Sequence, residues 1–204
     1  MFRRNYSSAL LEEAVDQLST LPGVGRRTAL RLALHLLGEP RENVEQFAGA
    51  LVRLRNDIRH CPVCGMISDD GICPLCDDPR RDVSVVCVVE SLRDVLSIEN
   101  TGQYNGLYHI LGGIISPIDG IGPGDLNIQP LCDRLAKGTV SEVVMALSTS
   151  MEGETTAYYL YKQIAGFPVK VTAIARGVGF GDDLEYTDEL TLGRSITNRQ
   201  PFKP

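Results

Sequence analysis

Four of the six cysteines fall in two CxxC pairs, Cys61-Pro62-Val63-Cys64 and Cys73-Pro74-Leu75-Cys76, within sixteen residues. A CxxC turn aims both sulfurs at one ion. Four thiolates fill the tetrahedral shell of Zn²⁺ and leave no open position, which is the pattern of a structural site. Pro62 fixes φ behind the first cysteine, and Gly65 permits a left-handed turn after the knuckle. The eight residues 65–72 make a shorter spacer than is common between CxxC pairs. Gly71 and the run Ser68-Asp69-Asp70 favour the turn that folds this loop back. Two disulfides or redox thiols are the competing chemistry, but two copies flanking one turn favour a shared metal. The expected cofactor is therefore structural Zn²⁺ on Cys61, Cys64, Cys73 and Cys76. His60 reads as a neighbour of that site, and Cys87, inside an apolar run, as a small buried hydrophobe.

A second pattern is suited to phosphate. Leu21-Pro22-Gly23-Val24-Gly25 separates two stretches of helical periodicity, residues 8–19 and 26–37. Glycines let the turn backbone approach an anion. The amides that open the second helix, aided by its dipole, then face that anion. Arg26 stands at the helix start, and Arg27 and Arg31, four apart, share a face. Gly23, Gly25, Arg26, Arg27 and Arg31 are thus the candidate DNA-backbone contacts, holding phosphate without reading bases. A plain helical hairpin with solvated arginines is the alternative.

A third set is acidic. Glu90 closes the β-branched run 83–89, and Glu152 and Glu154 form a Glu-x-Glu pair in Ser150-Met151-Glu152-Gly153-Glu154. In open α/β sheets function gathers at the carboxyl ends of strands, where Glu90 stands; a carboxylate at the start of the next helix is the plainer reading. No nucleophilic Tyr or general base stands beside the Glu-x-Glu pair, and Tyr158 and Tyr159 read as core or interface. The tail Arg176-Gly177-Val178-Gly179-Phe180-Gly181 is glycine-rich, yet its spelling fits neither the P-loop nor the dinucleotide fingerprint.

The elements that must carry these residues follow from periodicity. Residues 8–19, with Ser7 or Ser8 as cap, place Leu10, Leu11, Val15 and Leu18 on a helical stripe. In 26–37, Leu30, Leu34 and Leu37 share one face, with Ala29 and Ala33 close by. Residues 41–59 carry a further stripe of Val44, Phe47, Ala48, Leu51, Leu54 and Ile58. Strands are expected at 83–89, 106–111, 140–147 and 169–175. Helices are expected between them, the last starting near Thr155, which makes a small parallel sheet with crossover helices. A glycine-dense loop covers 112–125.

The 204 residues carry a formal charge of −6, unevenly spread. Residues 1–60 hold nine arginines against seven acids, net +2; residues 61–204 hold eleven basic residues against nineteen acids, net −8. Nucleic-acid binding must therefore come from a local patch, and the acidic part cannot lie broadly along a phosphate backbone. No apolar run approaches the ~20 residues needed to cross a bilayer, and no signal segment opens the sequence, so a cytoplasmic protein is expected.

Six stretches, in order and over nearly the whole chain, resemble the RecR family of bacterial recombination mediators. They are LPGVGRRTALRLALHLL, CPVCGMISDDGICPLCDD, VCVVESLRDVLSIE, YHILGGIISPIDGIGPGDLNI, MEGETTAYYLY and ARGVGFGDDLEYTDELTLGRS. The resemblance implies an α/β fold of several segments. Residues 1–60 would form a helical helix-hairpin-helix segment that binds DNA, and 61–82 a four-cysteine zinc finger. Residues 83–175 would form a Toprim domain with a parallel-rich sheet, and 176–204 a C-terminal segment with a Walker-B-like element. It further implies homodimers or homotetrameric rings formed partly by exchange of terminal elements. Its partners would be RecO and, in many bacteria, RecF, in loading RecA onto gapped or single-stranded DNA coated by single-strand binding protein. No catalytic activity of its own is implied. Arg27 stands where many relatives carry Lys, which keeps the charge and changes the donor geometry. Toprim enzymes hold Mg²⁺ on a Glu and an Asp-x-Asp pair; Glu90 matches the first, and Glu152 and Glu154 stand at the second. On this resemblance Glu90, Glu152 and Glu154 read as a partner-binding or weak Mg²⁺ surface, and the rival expectation is a Mg²⁺-dependent enzyme acting on DNA phosphodiesters. The finger would fold a segment too small for its own core and join the basic helical part to the acidic α/β part.

Overall fold

The computed structural model describes residues 8–179, 181–199 and 201. Ser7, the alternative helix cap, and Phe180 of the tail motif lie outside these. The chain divides into two compact units, residues 1–58 and 59–204.

In the first unit, α1 (Ala9–Leu18) is capped by the Ser8 side chain, which accepts from the Leu11 amide. It packs on α2 (Arg26–Gly38) through Val15, Ala29 and Ala33, with Leu11, Leu18, Val24 and Leu30 around them. The sequence placed Leu30, Leu34 and Leu37 on one face of α2, with Ala29 and Ala33 close by. The alanines take the centre of the contact, because small side chains let two helix backbones close up. Leu34 and Leu37 are left 49% and 77% exposed. In α3 (Arg41–Asp57) no residue is buried. Its predicted stripe exists, but Phe47, Leu51 and Leu54 face outward.

The second unit opens with a short antiparallel pair, β1 (Arg59–His60) and β2 (Ile67–Ser68), and one helical turn, α4 (Pro74–Asp77). An α/β layer follows: β3 (Asp82–Val89), α5 (Leu92–Glu99), β4 (Gly106–Ile110), α6 (Ile128–Leu135), β5 (Glu142–Ala146), α7 (Met151–Ile164) and β6 (Lys170–Ala173). All strand pairs in this sheet are parallel, in the order β4-β3-β5-β6. The expected parallel sheet is present, with each strand a residue or more shorter or longer than its apolar run.

The period-two alternation of β3 explains the layering. Val86 and Val88 join Leu131, Leu135, Leu160 and Ile164 of α6 and α7 on one face. Cys87 and Val89 join Val95 of α5 on the other, where Met66 and Leu75 of the cysteine segment also pack. Cys87 is 2% exposed, as its apolar surroundings predicted.

Helix α7 begins at Met151 rather than near Thr155. The Ser150 hydroxyl accepts from the Gly153 amide and caps it, so the acidic Met-Glu-Gly-Glu run is the first helical turn, where carboxylates meet the helix dipole favourably. The C-terminal α8 (Glu189–Thr197) is capped by Asp188. Among the described residues no helix is long and apolar enough to cross a membrane.

Candidate metal centre and nucleic-acid interface

The Sγ atoms of Cys61, Cys64, Cys73 and Cys76 all lie within 4.8 Å of one another. The sulfurs of Cys64 and Cys73 are 3.5 Å apart, far from a disulfide bond and near the ~3.8 Å edge of a tetrahedron with ~2.3 Å Zn–S bonds. Two knuckles built by backbone bonds make this geometry. The Gly65 amide donates to the Cys61 carbonyl at 2.9 Å, and the Cys76 amide to the Cys73 carbonyl at 3.0 Å. Gly65 takes φ +77°, and a Cβ there would meet the Ile110 carbonyl oxygen at 3.1 Å. The positive φ and the tight contact both favour glycine at that position. The His60 Nδ1 faces the Gly65 carbonyl at 3.2 Å, so His60 is a neighbour and not a fifth ligand.

The electrostatics of the cluster call for a cation. A hydrogen bond to Cys76 and burial push the Cys64 thiol far up; burial pushes Cys73 up to about 11. At Cys61, burial opposes ionisation, but amide donors from Cys73, Val63 and Cys64 outweigh it. Four sulfurs this close cannot all ionise beside one another without a metal to share the charge. The donor set therefore fits Zn²⁺, whose chemistry here is structural cross-linking.

The metal segment is docked on the sheet. The Ile110 amide, on the β4 edge away from β3, donates to the Cys64 carbonyl at 2.8 Å. Asn127 Nδ2 donates to the Ile110 carbonyl from the same side at 3.1 Å.

In the first unit, Val24 donates to the Leu21 carbonyl and closes the turn. Gly23 has φ +79°, which favours glycine; Gly25, at φ −76°, is the N-cap residue of α2 and is not conformationally demanding. Both have open space where a Cβ would stand. No side chain caps α2, so its first amides point outward unclaimed by a cap. Arg26 is engaged by Asp16 at 2.7 Å. Arg27 and Arg31 are exposed, and among the described residues no carboxylate reaches either at ion-pair distance. They line one groove with Thr28, Leu30 and Leu34.

The acidic residues are held separately. Glu90 lies just past the carboxyl end of β3, and its side chain accepts from the Ser148 amide just past β5 at 2.5 Å. That is the point where the strand order reverses, the usual ligand crevice of an open α/β sheet. Glu154 instead pairs with Arg176, and Arg194 Nη1 stands 3.5 Å away. Between them, Gly153 is pressed against the Ser148 backbone, where a Cβ would come within 2.3 Å of the carbonyl oxygen. Among the described residues the four cysteines are the only cluster of three or more His, Cys, Asp or Glu able to share a metal; Glu90, Glu152 and Glu154 do not form another. Tyr158 is not core: it is 63% exposed, with the Lys162 ammonium 5.3 Å from its ring, while Tyr159 packs half-buried against the sheet. Sequence reasoning missed the two arginines on Glu154, which come from residues 22 and 40 positions away.

A four-thiolate finger docked on a doubly wound parallel sheet, with a Gly-turn helical hairpin ahead of it, defines a zinc-finger Toprim protein. Family models match each part in order: the RecR helix-hairpin-helix at residues 11–55, the RecR four-cysteine zinc finger domain at 58–78, the Toprim domain at 84–175 and the RecR C-terminal segment at 177–200. The chain is 59% identical over 199 residues to the recombination protein RecR of Porphyromonas gingivalis, covering 98% of this chain and 96% of that one. It is 57% identical to the RecR of Parabacteroides distasonis, with the same coverage. With the RecR of Bacteroides fragilis identity is 54%, over 98% and 97% of the two chains. The chain belongs to the RecR family.

Proposed function

We propose that this protein is a DNA-binding mediator of recombinational repair without catalytic activity of its own. With RecO, and with RecF where present, it helps load RecA onto gapped or single-stranded DNA coated by single-strand binding protein, as a homodimer or homotetramer in the cytoplasm. The near full-length correspondence to relatives named recombination protein RecR carries this reading. Arg27 and Arg31, beside an uncapped helix start, support a phosphate-binding role for the hairpin together with Gly23, Gly25 and Arg26.

Gapped-DNA affinity measured against salt tests the DNA reading. Replacing Arg27 and Arg31 together by Ala lowers the slope of log K against log salt by about one for each phosphate no longer held. Unchanged affinity and slope would remove the hairpin from the DNA site. A RecO pull-down combined with mass determination in solution tests the partners, and a monomer that ignores RecO contradicts the reading.

The rival, a Mg²⁺-dependent enzyme on phosphodiesters, has the position of Glu90 at the strand switch in its favour. Against it stands Glu154, already neutralised by arginine. We therefore assign Glu90 and Glu152 to a partner surface or a weak Mg²⁺ site, and Glu154 to holding the C-terminal segment. Mg²⁺-dependent strand breakage that disappears in Glu90→Gln would overturn the scaffold assignment.

A further inference from the structure

Among the described residues Arg134 is the most buried charged side chain outside the ion pairs. It lies in the last turn of α6 at 9% exposure, and among the described residues no carboxylate reaches it at ion-pair distance. A buried cation without a counter-charge is costly, so its partner must be an anion of another kind. Its Nη1 donates to the Tyr108 carbonyl at 2.9 Å, on the edge of β4 that faces away from β3. Two residues along that edge, the Ile110 amide holds the Cys64 carbonyl at 2.8 Å. Residues two apart on a strand present their backbone groups to the same side, within roughly 7 Å. Arg134 and the Cys64 knuckle are therefore neighbours on one strand edge. A dication bound by four thiolates keeps a residual double negative charge; the other largely buried cation along this edge, Arg81, which donates to the Gly106 carbonyl, is already paired with Glu99.

We infer that the Arg134 guanidinium is the buried counter-charge of the four-cysteine zinc centre, a positioning residue outside the ligand set that ties metal affinity to the sheet. The inference rests on the zinc assignment. Burial pushes the Arg134 guanidinium below its ordinary value, and Cys76 and Cys64, then Tyr104 and Cys61, act against that lowering. Partners of this kind tune metal affinity even though they never touch the ion.

The test is zinc retention by the full-length protein in competition with a chromophoric chelator, for the native chain, Arg134→Gln and Arg134→Lys. Gln keeps a donor for the Tyr108 carbonyl and removes the charge; Lys keeps the charge. Zinc affinity falls about 10- to 100-fold in Arg134→Gln and stays within about threefold of native in Arg134→Lys. Native affinity in Arg134→Gln overturns the inference and leaves Arg134 as an edge cap alone. Equal weakening of both variants overturns it too, because shape and not charge is then what matters. If Arg134→Gln does not fold, Arg134→Lys decides: affinity within threefold supports the charge role, and a tenfold loss rejects it. Metal analysis of the native chain separates the two layers. One zinc per chain upholds the zinc assignment whatever the variants do, and no zinc in the native chain removes both.

Discussion

Glu154 lies 3.5 Å from Arg194, forty residues further along the chain, and also pairs with Arg176. One carboxylate at the start of α7 thus clamps both ends of the C-terminal segment, whose Val178 amide is held in turn by the Ser195 hydroxyl at 3.0 Å. Replacing Glu154 by Gln loosens this segment while leaving the finger intact. Weakening by roughly 0.5–1 kcal/mol corresponds to two- to fivefold faster local opening. Limited trypsinolysis after Arg176 and Arg194 should accelerate by that factor, with zinc content unchanged. Unaltered cleavage would mean that the clamp carries no weight.

The two glycines of the hairpin turn should separate stability from binding. Gly23→Ala places a Cβ at φ +79°, a left-handed conformation costing about 1–2 kcal/mol for an L-residue. Gly25→Ala sits at φ −76° with open space around it and should leave thermal stability unchanged while weakening DNA binding. Equal losses of Tm in both variants would contradict the distinction.

Metal removal should be felt on the sheet at one amide. The Ile110 N–H is bonded to the Cys64 carbonyl, whereas the next amide, Leu111, is bonded to Val89 within the fold's interior. Chelating the zinc should speed hydrogen exchange at Ile110 by about tenfold or more, equivalent to about 1.4 kcal/mol, and leave Leu111 protected. Uniform loss of protection would point to global unfolding.

Acid should act through Glu99. Arg81 donates to it and holds its carboxyl below the ordinary value; burial opposes this, and the Tyr108 hydroxyl, bonded at 2.6 Å, adds to the lowering. A depressed carboxyl contributes stability that is complete above its unfolded value, near 4.5, and is lost as pH falls through the lower folded value. The Tm of the native chain should therefore drop more steeply below about pH 4.5 than that of Glu99→Gln, whose profile lacks this contribution. Parallel profiles would show that Glu99 is not depressed in the folded chain.

Short-range signals in the sequence marked out the parts of the molecule. A continuous β-branched run announced β3, and CxxC spacing announced the metal cluster, because both are written in residues close together in sequence. Contacts made by backbone atoms or across long separations left no such trace. The Cys64 carbonyl carries no side-chain label for Ile110, and nothing in Met-Glu-Gly-Glu says that its second glutamate meets Arg194. The same limit explains Gly153: read as a spacer between two acids, it is there because the Ser148 carbonyl leaves no room for a Cβ. Periodicity also reports which side of a helix is apolar without saying what covers it. On α2 the contact with α1 centres on Ala29 and Ala33, with Leu30 beside them and Leu34 and Leu37 left exposed, and on α3 Phe47, Leu51 and Leu54 stay exposed in the single chain.

β4 is an outer strand of the sheet, and the zinc knuckle, Asn127 and Arg134 together occupy its open side at Tyr108 and Ile110. An outer strand with bare N–H and C=O groups is a template for strand addition by another chain. The finger is thus a cover on that strand, and its metal keeps the cover closed. Zinc starvation would then reach this protein first as stickiness, with copies joining edge to edge while their helices are still folded.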